Sequence, residues 1–418
     1  MKKKQDYWFY LEPYTFILKG KEKTVLYNTL NAEYIECPSN AFVDELIEDL
    51  LISPDYCVII NYNKTSNIEF CEFIETVRNT FSGDYIICDD TKKKPFIFKP
   101  ILRLKDNYHK LARERSKLDV EGNNILRYLN ELTLYLSAKC EHHCENCLDY
   151  HKQFLSCSRF PNTSDFPLQE LLEILEQMEK NGLGRVNFVG GDIFKYKYLH
   201  DLISHIAVYN FSKRFVINHK HINNWTISII EQLLESKCSI IILFEPESQI
   251  INYSDVIGNN NNIEYAVMVD SEETLSFAID FMDSNAELYL ELYPFFNNRN
   301  LSFFKKNVFI KTKDLLDLPI SKKAIFRHQT LNENFFGKLY IKPNGDIYAN
   351  LNQKLIGNAF GDRFSINKAV YHEMKYGLSW FKLRNEKPCI ECCNRYLCPS
   401  PSNYEIVLNK SNLCEVEK

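Results

Sequence analysis

The sequence predicts an α/β protein whose central domain is an open, partial barrel of six strand–helix units. Near-continuous apolar runs alternate with helical patterns between residues 132 and 292, as in parallel strands that are covered on both faces. Six such units are too few for a closed eight-stranded barrel. The 418 residues are enough for about two or three domains, each with its own core.

Composition excludes several classes of protein. Charged residues make up 25% of the chain, which also carries 29 Phe and 25 Tyr, so it is not disordered. A net charge of −5 provides no basic field for nucleic acid. No apolar stretch is long enough to span a bilayer, and Glu12 soon interrupts the apolar residues that follow Lys2–Lys4. We therefore predict a cytoplasmic protein with no nucleic-acid or membrane partner.

Residues 1–110 are predicted to form a small α+β module of winged-helix type, followed by a linking segment at 111–130. A hairpin is predicted around Lys-Gly-Lys-Glu-Lys, and two helices follow it. The charged stretch from Asn107 to Glu121 is predicted to form a linking helix. The predicted strands are Phe16–Leu18, Thr24–Tyr27, Tyr34–Ile35, Tyr85–Cys88 and Pro95–Phe98, and the predicted helices are Ala41–Leu51 and Ile68–Phe81.

Residues 131–325 are predicted to form the partial barrel, and residues 326–418 a C-terminal extension. A representative helix begins after Asp165 and Pro167 and ends at Gly182. The extension is predicted to contain a hairpin of Lys338–Ile341 with Ile347–Tyr348 and a helix near Tyr371–Phe381. The predicted barrel strands are Leu132–Leu136, Arg185–Val189, Phe215–Ile217, Ile240–Phe244, Tyr265–Val269 and Leu288–Leu292.

The 14 cysteines are unusual for a reducing cytoplasm, where disulfides are rare. Seven are scattered singly, and most of these are interpreted as small core residues. The other seven form two groups with the spacing of metal ligands. The first group is a C-x3-C-x2-C run of Cys140, Cys144 and Cys147, and the second contains Cys389, Cys392, Cys398 and Cys414.

The first cysteine group directly follows a predicted strand, at the end where βα proteins carry their chemistry. Zinc would need a fourth ligand, for which His142, His143 and His151 are candidates. A [4Fe–4S] cluster held by three cysteines would instead leave one iron open to a further ligand. Spacing alone does not decide between these two centres.

The next predicted strand ends in Gly190, Gly191 and Asp192. Glycines at this position let a ligand approach the backbone, and the carboxylate can hold a cationic amino group. On its own the tripeptide is simply a turn. Next to the cysteine run, it predicts a binding site shared by two neighbouring strands.

These two motifs resemble those of the radical S-adenosylmethionine (radical SAM) enzymes, which share a partial βα barrel. The resemblance implies that Cys140, Cys144 and Cys147 bind a [4Fe–4S] cluster whose open iron takes SAM. It further implies that Gly190, Gly191 and Asp192 contact the methionine end of SAM, and that Asn218 occupies a polar position near it. Reductive cleavage of SAM would then produce a 5′-deoxyadenosyl radical. Asp192 replaces the usual Glu, and Asn146 replaces an aromatic residue.

The C-terminal group resembles the SPASM domain, which binds auxiliary clusters in radical SAM enzymes that mature peptides. Asn350 and Ser402 stand at two positions where that family carries cysteines for its inner cluster. The four remaining cysteines, Cys389, Cys392, Cys398 and Cys414, match the ligands of the outer cluster. The resemblance therefore implies one auxiliary [4Fe–4S] cluster, for electron relay or scaffolding, with zinc as the alternative at this site.

Three further segments resemble one subfamily across essentially the whole chain, namely Tyr7–Tyr14, Asn334–Asn350 and Leu397–Glu405. This subfamily is the radical SAM/SPASM or pseudo-radical-SAM protein of Gly-Gly-leader peptide systems in Bacteroidales. It implies a ribosomally synthesised precursor peptide (a RiPP) as substrate and an electron donor such as flavodoxin or ferredoxin. The N-terminal module would bind the leader by β-addition. The alternatives are a non-catalytic iron–sulfur or zinc protein that binds the precursor for another maturase, and a zinc-stabilised binding protein.

Overall fold

A computed structural model describes residues 5–89, 93–100, 124–160, 165–246, 248–253 and 261–415. The N-terminal module contains two three-stranded antiparallel sheets. In the first sheet, strand β1 (Tyr7–Leu11) lies between β5 (Cys57–Ile60) and β6 (Gly83–Ile87). The second sheet has the order β2 (Thr15–Lys19), β3 (Thr24–Asn28) and β4 (Tyr34–Glu36).

Two helices cover the first of these sheets. Helix α1 (Ala41–Ile52) and helix α2 (Ile68–Asn79) each begin at an asparagine whose side chain accepts a backbone N–H. Alternation along β1 buries Tyr7, Phe9 and Leu11 against the two helices. The predicted hairpin, third strand and helices are thus confirmed, whereas the winged-helix assignment stays a prediction.

One prediction for this module is wrong, two strands are missing from the predictions, and one predicted helix falls outside the described residues. Pro95–Phe98 forms no strand, because Pro95 and Pro100 cannot donate to a ladder, and Phe96 and Phe98 are exposed. Strands β1 and β5 were not predicted, since each finds its partners far along the chain. The predicted linking helix of residues 107–121 lies outside the described residues.

The central domain contains the six predicted parallel strands, in chain order, within a nine-stranded sheet. Neighbouring strands pair in parallel from β7 to β12, and β7 also pairs in parallel with β13. Whether this sheet curves into a partial barrel stays a prediction. The strands are β7 (Glu131–Tyr135), β8 (Arg185–Val189), β9 (Ser212–Asn218), β10 (Ser239–Phe244), β11 (Ile263–Val269), β12 (Leu290–Pro294) and β13 (Lys338–Ile341).

Helices lie between the strands, and the two faces of the sheet bury different clusters. One face, with Leu132, Phe188 and Ile242, belongs to the largest core cluster, which includes the helices. The opposite face buries a second cluster around Tyr135 and Leu243. The helices are α3 (Cys147–Gln153), α4 (Leu168–Lys180), α5 (Leu199–Ile206), α6 (Asn224–Glu235), α7 (Glu272–Ser284), α8 (Leu301–Asn307), α9 (Thr312–Asp317) and α10 (Lys322–Thr330).

The C-terminal extension continues the same sheet. Strands β14 (Asp346–Tyr348) and β15 (Gly357–Asn358) follow β13 in antiparallel order, which confirms the predicted hairpin. Helix α11 (Ser365–Tyr376) begins and ends earlier than predicted, because Gly377 ends it in the left-handed conformation with φ 61°. A short helix α12 (Asn403–Val407) closes the chain. Among the described residues, none of these helices has the length and apolar character needed to cross a membrane.

Candidate functional site

The first cysteine group lies where the sequence predicts it, at the carboxyl ends of the parallel strands. Residues 136–146 form the loop after β7, and α3 begins at Cys147. Asp192 and Glu245, from the loops after β8 and β10, meet it there together with Asn218, the last residue of β9. One edge of the sheet thus brings together all of the residues predicted for the first site.

The two glycines after β8 pack against the chain that leads into the cysteine loop. Gly191 N donates to Ser137 O (2.7 Å), and Asp192 N donates to Lys139 O (2.6 Å). A Cβ on Gly191 would lie 2.4 Å from Lys139 O, and one on Gly190 would lie 2.8 Å from Ser137 O. The absence of side chains therefore lets the two loops join through their backbones, which fixes the base of the cysteine loop.

Each of the three thiols has a different partner. Cys144 Sγ donates to Glu245 Oε1 at 2.9 Å. Cys140 Sγ lies 3.4 Å from His221 Nε2. Cys147 Sγ accepts the backbone N–H of Arg159 at 3.3 Å. The loop is therefore held in place by residues that come from three other segments of the chain.

Glu245 lies at the centre of a buried polar network. Asn218 Nδ2 donates to Glu245 Oε1 (3.0 Å), and Lys220 Nζ donates to Glu245 Oε2 (2.9 Å). Burial would raise the pKa of Glu245, but the hydrogen bonds from Cys144 and Lys220 outweigh it and hold that pKa below its usual value. Burial and the hydrogen bond to Glu245 in turn raise the pKa of the Cys144 thiol to about 12.

The two other predicted SAM-site residues are engaged locally. Asp192 caps the turn Ile193–Lys195 by accepting from Phe194 N at 3.1 Å, and burial raises the pKa of its carboxyl group. Asn218 accepts from Lys220 N at 3.0 Å and is 2% exposed. Both side chains keep polar atoms at the strand ends, next to the cysteine loop.

None of the three histidines considered as zinc ligands bonds a cysteine sulfur. His142 contacts Lys220 O, His143 contacts Arg159 Nη1, and His151 contacts Ser158 Oγ. The imidazole that contacts a cysteine sulfur is instead that of His221, which was not predicted from the sequence. Its position three residues beyond Asn218, in the turn after β9, is the only signal that could have indicated it.

A fourth cysteine, Cys157, lies near the three cysteines of the motif, and this proximity was not predicted from the sequence. Cys157 is 8% exposed, and its Sγ lies 3.9 Å from Asn218 Nδ2. Burial raises the pKa of its thiol, and the nearby thiols of the C-x3-C-x2-C motif raise it further. Cys157 is one of the seven scattered cysteines, and its burial agrees with the prediction that most of these are core residues.

A cavity of about 790 Å³ opens onto the loop. This volume lies in the range of small-molecule sites. Cations and carboxylates are mixed on its walls, so it suits a zwitterionic ligand better than a purely anionic one. Its charged lining residues are Lys139, Lys195, Arg159, Glu141, Glu145 and Asp149, which accompany all three cysteines of the motif.

The second cysteine group gathers at the other end of the chain. Cys389 begins the turn Cys389–Glu391 and Cys392 follows it, whereas Cys414 pairs with Ile310 in an isolated bridge. Burial raises the pKa of Cys398 to about 12, Arg384 opposes that rise, and the thiols of Cys414, Cys392 and Cys389 add to it. The four predicted ligands are therefore close enough to interact.

Both donor sets consist of cysteine thiols, which are ligands of iron–sulfur clusters and of structural zinc sites. Among the described residues, no three His, Cys, Asp or Glu side chains converge on a point where a single metal ion could bind all of them. A [4Fe–4S] cluster takes one thiolate at each iron, and thiols grouped in this way suit it. Buried Arg384 also places a positive charge beside Cys389 and Cys398, which suits an anionic metal–thiolate centre.

The two positions that lack cysteines carry hydrogen bonds instead. Asn350 Nδ2 donates to Asn403 Oδ1 at 2.7 Å, and Ser402 caps α12 through Tyr404 N. Asn403 Nδ2 in turn donates to Gln153 O at 3.4 Å, at the end of α3. Asparagine side chains thus connect the extension to the helix that begins at Cys147.

Residues 127–259, which include the first cysteine group, match the family described as a 4Fe-4S single cluster domain. No curated protein matches the chain. The Streptococcus suis protein SuiB bound to S-adenosylmethionine is 15% identical with a TM-score of 0.41, over 97% of this chain and 98% of that one. Native anSMEcpe with bound AdoMet is 11% identical with a TM-score of 0.41, over 64% of this chain and 88% of that one.

Proposed function

We propose that the protein is a radical SAM enzyme that modifies a ribosomally synthesised precursor peptide through a 5′-deoxyadenosyl radical. The observation that carries this proposal is the C-x3-C-x2-C loop at the carboxyl ends of parallel strands, inside the segment that matches a 4Fe-4S domain. The three thiols border a cavity large enough for a nucleoside-sized ligand.

The residues of the chain take separate roles in this proposal. Cys140, Cys144 and Cys147 hold the cluster, and a cluster with an open iron supplies the electron that cleaves SAM. The loop of Gly190 and Gly191 joins Asp192 to the cysteine loop through Lys139, and the carboxylate of Asp192 would bind the amino group of SAM. Asn218 supplies a polar contact beside it. An external donor such as flavodoxin or ferredoxin would deliver the electron.

The C-terminal group and the N-terminal module extend the proposal beyond the central site. Cys389, Cys392, Cys398 and Cys414 would hold one auxiliary [4Fe–4S] cluster, and the charge of Arg384 supports it. An edge strand of the N-terminal module, such as β4 or β5, would pair with a Gly-Gly type leader peptide.

Cleavage of SAM tests the proposal. Protein purified without oxygen and loaded with iron and sulfide should convert SAM to 5′-deoxyadenosine when a strong reductant is present, as measured by chromatography and mass spectrometry. Cys144→Ala should abolish the product. Cys71→Ala is the matched control, because Cys71 is a half-buried cysteine of the N-terminal module whose thiol donates to the carbonyl of Thr65. A wild-type protein that carries its cluster and forms no 5′-deoxyadenosine would contradict the proposal.

A non-catalytic precursor-binding protein is the second candidate. The observation that favours it is that Asn350 and Ser402, which both form hydrogen bonds, stand at the two positions where the SPASM family carries cysteines for its inner cluster. SAM cleavage and leader binding separate the two candidates, and metal analysis counts the clusters. About eight iron atoms per chain support two clusters, whereas leader binding without SAM cleavage supports the partner role.

A further inference from the structure

We propose that His221 is a positioning residue that donates its Nε2–H to the sulfur of Cys140 and thereby raises the reduction potential of the cluster. This inference rests on the proposed cluster at Cys140, Cys144 and Cys147. The 3.4 Å separation of Nε2 and Sγ is the contact that carries it.

The chemistry of the ligand fixes the direction of this hydrogen bond. A metal-bound cysteine is a thiolate, which has lone pairs and no proton. The ring nitrogen that faces the sulfur must then carry the hydrogen. His221 Nδ1 is buried and has no hydrogen-bond partner, and it lies 3.9 Å from Asp192 Oδ1. The only hydrogen bond available to this ring within the described residues is therefore the one to Cys140.

The surroundings hold the ring in place. The side chain of His221 is 3% exposed, and the ring of His142 stacks on it at 5.2 Å with an interplanar angle of 26°. The Thr226 hydroxyl donates to His221 O at 3.1 Å. Thr226 also forms the capping box of α6 with Asn223. A buried ring that stacks on His142 and is anchored through its own backbone keeps its N–H aimed at the sulfur at little entropic cost.

A fixed donor on a cluster sulfur has an electronic consequence. Hydrogen bonds to the sulfurs are among the features that set cluster potentials. Donation withdraws electron density from the thiolate and so stabilises the more negative, reduced cluster. Loss of the His221 donor should therefore make the cluster harder to reduce.

The midpoint potential of the reconstituted protein, from an EPR-monitored redox titration, tests this inference. His221→Phe keeps a planar ring and removes the donor, so its potential should shift to a more negative value at unchanged iron content. His221→Gln, which retains an N–H, should lie between the two. His219→Phe is the matched control, because His219 is in the same turn, stacks on Phe244 at 4.8 Å and has no hydrogen bond to a cysteine among the described residues. A variant with all three cysteines of the motif changed to Ala isolates the C-terminal signal for subtraction.

A second measurement needs no variant at position 221. Wild-type protein labelled with [15N]histidine should show a weakly coupled nitrogen in the pulsed EPR spectrum of the reduced cluster. An equal potential in wild type and His221→Phe, an equal shift in His219→Phe, or no nitrogen coupling would overturn the inference. A cluster that shows the expected shift and does not cleave SAM would overturn the proposed function alone. Failure of Cys140, Cys144 and Cys147 to bind iron would overturn both the proposed function and this inference.

Discussion

The contact between Cys144 and Glu245 shows how one residue affects the protonation of a predicted cluster ligand. A carboxylate 2.9 Å from a sulfur stabilises the protonated thiol and disfavours the thiolate. Metal binding requires the thiolate, so the Cys144 thiol must lose its proton when a metal binds. The same carboxylate also holds Lys220 and Asn218, which keeps it in place.

Glu245→Gln should make Cys144 more reactive in the metal-free protein. The amide keeps the shape of the side chain and removes the negative charge, so the thiol pKa should fall by about one unit. Alkylation by iodoacetamide, followed at Cys144 by peptide mass spectrometry, should then reach any given rate about one pH unit lower, because only the thiolate reacts.

Glu264→Gln provides the control for this prediction. Glu264 is a partly buried carboxylate paired with Arg214 at 3.1 Å, and it lies near the opposite end of the strands. Its replacement should leave the alkylation profile of Cys144 unchanged. Equal profiles for wild type and Glu245→Gln would show that the carboxylate does not hold the thiol proton.

At the scale of elements, hydrogen bonds between asparagines join the C-terminal extension to α3. Asn403 Oδ1 accepts from Asn350 Nδ2 (2.7 Å) and Asn352 Nδ2 (3.1 Å). Asn352 Nδ2 also donates to Lys152 O at 2.6 Å. Gln153, the last residue of α3, exchanges two hydrogen bonds with the backbone of Phe296. The helix that begins at Cys147 is thus fixed at its far end by two separate segments.

Asn403→Ala should destabilise this junction by about 1–3 kcal/mol, because it leaves the amide of Asn350 buried without its partner. Asn350 is only 2% exposed, so water cannot replace the lost acceptor. Denaturation by urea should report the loss, and hydrogen exchange should rise in α3 and at residues 346–352.

Asn358→Ala is the matched control, since the Asn358 amide donates to Asn344 O and Asp346 Oδ1 at an exposed turn. This substitution should lower the stability by less than about 0.5 kcal/mol. A similar loss in both variants would contradict the proposed junction.

The parallel strands and the cysteine motif could be predicted from sequence because their signals are local. The apolar run of β10 identifies a strand by itself, and the three cysteines lie within eight residues. The partners of those cysteines could not be predicted, since Glu245 is 101 residues from Cys144 and His221 is 81 residues from Cys140. Strand β1 escaped prediction for the same reason, because it is defined by partners at 57–60 and 83–87.

At the scale of the whole molecule, the N-terminal module rests on the C-terminal cysteine group. Phe16, Leu18 and Val25 of the β2–β3 hairpin share a buried cluster with Leu397 and Cys398. Polar contacts add to it, because Lys21 N donates to Glu391 O (2.8 Å) and the Tyr34 hydroxyl donates to Asn394 Oδ1 (3.0 Å). The two ends of the chain therefore stabilise each other, and order in the cysteine group should depend on the hairpin.

Gly20→Ala tests this dependence at the closest approach. A Cβ at Gly20 would lie 2.6 Å from Cys393 N and 3.0 Å from Glu391 O, both backbone atoms that cannot move without shifting the cysteine turns. We expect a loss of about 1–3 kcal/mol in stability. We also expect faster hydrogen exchange both at residues 15–28 and at residues 389–398, as well as less metal in the C-terminal group.

Gly357→Ala is the control, because among the described residues its Cβ would meet only Ile347 Cδ1 at 3.8 Å. If exchange rises in the hairpin and not in the cysteine turns, the two ends fold independently and the contact between them is incidental.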